Sequence, residues 1–163
     1  MEIESIIIGV IILAICIVPL MLMSRNRKKT ERKKVELLLS LAKNNHSTIT
    51  KHEACGDYII GIDEQAQKIF FVKQGENLVE EQCINLREIK QCVIERNAKT
   101  VAQSTSTTNL IEKLQLTFIP SDKTKKEIAL EFFNAAKTMQ LFGELQSIEK
   151  WHKEINTVLN SRK

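Results

Sequence analysis

The chain has 163 residues, room for about one soluble domain, and its 43% apolar content is ordinary. Its formal charge of +4 is unevenly placed, because from Val35 onward seventeen basic residues balance seventeen acidic ones. A neutral body of this kind excludes the basic footprint of a nucleic-acid-binding domain. Cys55, Cys83 and Cys92, scattered beyond Cys16 without a CxxC pair, exclude a complete internal disulfide set.

Residues 1–5 form a short flank with Glu2, Glu4 and no basic side chain. Residues 6–23 then read IIIGVIILAICIVPLMLM, eighteen residues without a charge. As a helix they would span roughly 27 Å, the hydrocarbon thickness of a bilayer. The expectation is an N-terminal transmembrane helix, single-pass and uncleaved. The acidic start speaks against a signal peptide, and Ile15 stands where a lipid-modified Cys16 would need a small neighbour.

Residues 24–45 are a basic juxtamembrane segment and helix. Arg25, Arg27, Lys28, Lys29, Arg32, Lys33 and Lys34 stand against only Glu31. Basic flanks stay in the cytoplasm, which predicts an inner (plasma) membrane protein with its N-terminus outside and its C-terminal domain cytoplasmic. The same seven side chains are the candidate membrane-surface contacts, each worth about 1 kcal/mol against anionic headgroups. From about Thr30 to Asn45, Val35, Leu38, Leu39 and Ala42 recur at helical spacing. This apolar side must pack on the domain or on a second copy.

Residues 46–163 carry strand signals and then a helix. Strands are expected at about Ser47–Ala54, Tyr58–Ile62, Lys68–Lys73, Glu81–Asn85 and Ile89–Arg96, and the Ser/Thr-rich stretch Ala98–Asn109 reads as a mobile loop. Leu114, Leu116 and Phe118 alternate with polar residues, as do Ile128, Leu130 and Phe132, which predicts an antiparallel hairpin with one buried face. After Gly143, the stripe Leu145, Ile148, Trp151, Ile155, Val158 and Leu159 predicts a terminal amphipathic helix.

About seven strands closed by one C-terminal helix, with the YIIGID…KIFFV hairpin, the segment INLREIKQCVI and a helix carrying Trp151, resemble the pleckstrin-homology-like superfold in its bacterial membrane-associated versions. The resemblance covers roughly Ser47–Leu159. It implies an α+β fold: a small antiparallel β-barrel or bent sheet, PH-like, with the helix plugging one open end. Phosphoinositide binding would need a basic first hairpin. Here Lys51 and His52 stand against Glu53, Asp57 and Asp63.

No residues assemble into catalytic, cofactor or metal chemistry. His52 and Cys55 are close enough for a zinc pair, but Cys83 and Cys92 are not, and small buried cysteines in strands account for them. His152 has no partnered nucleophile. The acidic pairs Glu80-Glu81 and Asp63-Glu64 fall in turns, and no glycine-rich phosphate loop is present. The functional expectation is therefore a membrane-tethered, non-enzymatic binding or scaffold module without cofactors, acting through a protein partner or self-association. A structural subunit of a larger envelope assembly is the alternative, and an enzyme with an unrecognised site the third.

Overall fold

The computed structural model describes residues 30–75, 78–103, 106–138, 141 and 143–161, with the side chains of 99–103 and 106–110 outside that description. Helix α1 covers residues 30–44. It stops where Asn45 Nδ2 donates to Leu41 O at 2.8 Å and Ser47 N returns to Ala42 O at 3.0 Å. Four antiparallel strands follow: β1 Lys51–Cys55, β2 Tyr58–Asp63, β3 Lys68–Gln74 and β4 Val79–Asn85, in that order across one sheet. A 3-10 turn at Leu86–Glu88 leads to a second sheet of β5 Ile89–Gln103, β6 Ser106–Pro120 and β7 Ile128–Asn134. Helix α2, Glu144–Asn160, is the last of the described elements.

The first sheet is covered on both faces. Strands β2 and β3 are almost continuously apolar, the pattern of strands with no solvent side. Tyr58, Ile60, Ile62, Ile69 and Phe71 point into the main core with Leu114, Leu116, Phe118, Leu130, Phe132 and the α2 residues Ile148, Trp151 and Ile155. Ile59, Phe70 and Val72 point the other way, onto Leu38 and Ala42 of α1. Gly61 lets α1 sit this close: a Cβ there would lie 2.9 Å from Leu38 Cδ2 and 3.2 Å from Ile49 Cγ2. In the second sheet only one face is packed, so β6 and β7 keep the expected alternation. A bulge at Leu114/Gln115 brings Phe133 as well as Phe132 into the core.

The structure corrects the expected fold in four places. The strands do not close into one barrel; they form two open sheets, of four and three strands, because the first sheet ends at β4 and the second begins afresh at β5. The N-terminal transmembrane helix and the single-pass membrane architecture built on it gain no support. Residues 6–23 lie outside the described residues, and no described helix is long and apolar enough to cross a membrane. The expected loop at 98–109 is instead, in its described part, the far end of the β5–β6 ladder, paired from Ala98↔Ile111 to Gln103↔Ser106. Threonine is as much a strand former as a loop residue. Finally, β1 starts at Lys51 and not Ser47, since Thr48 N is held by Asp63 Oδ2 at 2.8 Å instead of by a strand.

Candidate functional site

Of the seven basic residues singled out by the sequence, Arg25, Arg27, Lys28 and Lys29 lie outside the described residues. Arg32 and Lys33 are exposed on α1. Lys34 is buried, with Nζ donating to Gly56 O at 2.6 Å. Burial pushes its ammonium below the usual lysine range, and the charge of Asp57 opposes that shift.

Lys34 borders a polar cleft that no sequence pattern announced. Its floor is the Gly56–Asp57 turn between β1 and β2, where Gly56 takes a φ of +52° and a Cβ would lie 2.7 Å from Glu144 Oε1. Beside it Lys73, at the end of β3, is 4% exposed. Lys73 Nζ donates to Glu131 O and Oε1, each at 3.1 Å, and lies 3.5 Å from Asp57 Oδ2. Glu131, on β7, also takes Lys137 Nζ at 3.0 Å and Asn134 Nδ2 at 3.0 Å, with Lys113 Nζ 3.5 Å away. Burial works against ionisation of Glu131, but the hydrogen bonds from Lys137, Lys73 and Asn134 outweigh it and bring its carboxyl down to about 2.

The cleft measures about 510 Å³, the size of a small-ligand site. Its charges, however, neutralise one another. A carboxylate ionised to about pH 2 and taken up by three cations and an amide is a poor general base near neutrality. The work of this cluster is to join the first sheet, through β3, to the second, through β7. No local pattern marks it, because Lys73 and Glu131 are 58 residues apart, and each reads alone as an ordinary polar strand residue.

The cysteine and histidine readings fall out of strand geometry. His52 and Cys55 stand three apart on β1, which places them on opposite faces. Burial raises the thiols of Cys55 and Cys83, and lifts Cys92 to about 12, so all three are protonated near neutral pH. Among the described residues no three His, Cys, Asp or Glu side chains gather as a metal site. His152 is half-buried and uses Nε2 against Cys92 O at 3.1 Å, where Asn156 Nδ2 also donates at 3.4 Å; together they cover the edge of β5.

The other surface with functional content is the flank of α1. Leu38 and Ala42 are spent on the sheet, whereas Leu39 is 51% exposed. With Val35 one turn earlier it lines a shallow groove of about 610 Å³, edged by Arg32, Glu36, Ser40 and Lys43. Arg32, Glu36 and Lys43 enter no ion pair among the described residues. Compared with protein-family models, curated protein sequences and solved structures, the chain matches none.

Proposed function

We propose that this protein is a non-enzymatic binding or scaffold module that holds a protein partner against the flank of α1. The observation that carries this reading is the half-exposed Leu39, continued by Val35 and edged by Arg32, Glu36 and Lys43, which enter no ion pair among the described residues. Apolar side chains set inside a charged rim are how protein interfaces are built. The polar cleft, by contrast, is occupied by its own ion pairs. The order of four strands, three strands and a C-terminal helix does not by itself name a function. In folds of this kind function still resides in the particular surface.

A photo-crosslinking amino acid placed at position 39 of the full-length chain, expressed in cells, tests the reading. Position 39 should give discrete protein adducts, while the same group at Lys90, an exposed residue of β5, should give none. Equal labelling at both positions, or no adduct at position 39, would contradict it.

A further inference from the structure

We infer that the occupant of the α1 flank is a second copy of this chain, the two α1 helices running antiparallel about a two-fold axis near Leu39 and Ser40. This rests on the flank being a docking surface and names what docks there. A closed dimer requires a patch that complements itself under two-fold rotation. Along the flank, Glu31 and Glu36 lie toward the N-terminal end, Lys43 toward the C-terminal end, and Leu39 between them.

A parallel pairing would set Lys43 against Lys43 and Glu36 against Glu36. Rotation about the Leu39–Ser40 position instead sets Glu36 of each copy opposite Lys43 of the other, so two attractive pairs flank the apolar centre. Val35 then falls opposite residue 44, the last of the partner's α1. Arg32 falls just beyond it, beside the negative end of that helix's dipole. One arrangement thus employs Arg32, Glu36 and Lys43, which enter no ion pair among the described residues.

The test exchanges the two charges on the full-length chain and reads mass by sedimentation equilibrium. Glu36→Lys alone faces lysine with lysine, and Lys43→Glu alone faces glutamate with glutamate; each should weaken association about tenfold or more. An equimolar mixture of the two variants should recover a heterodimer, because each then presents the charge the other needs. Both sites are exposed, so the unfolding midpoints of the variants should match the parent. A monomeric parent at tens of micromolar would overturn the inference, as would a dimer indifferent to either exchange, which would place its interface elsewhere. Crosslinks from position 39 to a different protein would also overturn it, while leaving the docking reading intact. The loss of all adducts from position 39 would remove both, as would equal labelling at positions 39 and 90.

Discussion

The two helices are both amphipathic, yet they spend their polar sides differently. Helix α2 is tied to the strands beneath it through nearly every turn. Lys150 Nζ and Trp151 Nε1 meet Glu53 Oε2 at 2.8 and 3.0 Å, Glu149 takes Arg96 at 2.7 Å, Glu154 takes Lys51 at 3.2 Å, and His152 covers Cys92 O. Glu53 and Lys51 belong to β1, Arg96 and Cys92 to β5, so α2 fastens an edge of one sheet to an edge of the other. Helix α1 buries Leu38 and Ala42 against a single sheet and fixes one ammonium, Lys34, to Gly56. Its remaining charges and Leu39 face outward. A helix that stitches two sheets together is structural; one that leaves a charged, partly apolar flank unengaged has surface to offer.

The largest test of this contrast is Trp151→Ala. Trp151 is 2% exposed and sits in the main core, so its truncation should cost about 3–5 kcal/mol, a large share of a small domain's roughly 5–15 kcal/mol. Urea unfolding should show the domain marginal or unfolded. Trp151→Phe keeps most of the packing and loses the bond to Glu53, and about 1–2 kcal/mol is expected. Intrinsic fluorescence of the parent should be blue-shifted and resist acrylamide; emission like that of free indole would sink the packing assignment.

Next in size is Gly61→Val, which drives side-chain atoms into Leu38 and Ile49. Overpacking of this kind costs about 1–3 kcal/mol. Hydrogen exchange should report where the cost falls: faster exchange across α1, with α2 still protected. Uniform loss of protection in both helices would mean that α1 is no more separable than α2.

Glu131→Gln removes the carboxylate that joins the sheets through Lys73. Glu131 titrates at about 2 when folded, against 4.5 when unperturbed. Its depressed value contributes stability that is complete above about pH 4.5 and disappears as pH falls toward 2. The shift corresponds to a ceiling of about 3 kcal/mol, and because the side chain is partly wetted about 2 kcal/mol is expected at pH 7. The acid limb of the stability curve should flatten between pH 4.5 and 2 in the variant. An unchanged acid limb would show that Glu131 is not the linked group.

Much of this architecture was legible in the residues. The alternation around Leu114–Phe118 and Ile128–Phe132 and the stripe through Trp151 gave β6, β7 and α2 because one buried face imposes its period on the chain. The continuous runs in YIIGID and KIFFV carried a further message, that both faces are covered. That cue identifies a second layer without saying which segment supplies it. The division into two sheets and the Lys73–Glu131 link depend on pairing between distant residues, which no local period encodes. The candidate flank was half visible. Val35, Leu38, Leu39 and Ala42 make a stripe wider than one sheet contact consumes, and only the packing of α1 decides that Leu39 is the residue left over.

The most direct test of that leftover surface is the sedimentation mass of Leu39→Glu beside the parent at equal concentration. Leu39 contributes nothing to the described core, so the variant should unfold within about 0.5 kcal/mol of the parent. An assembled parent and a monomeric variant are the predicted pair of masses. Equal masses for the two would contradict the claim that copies of this protein pair through the flank of α1.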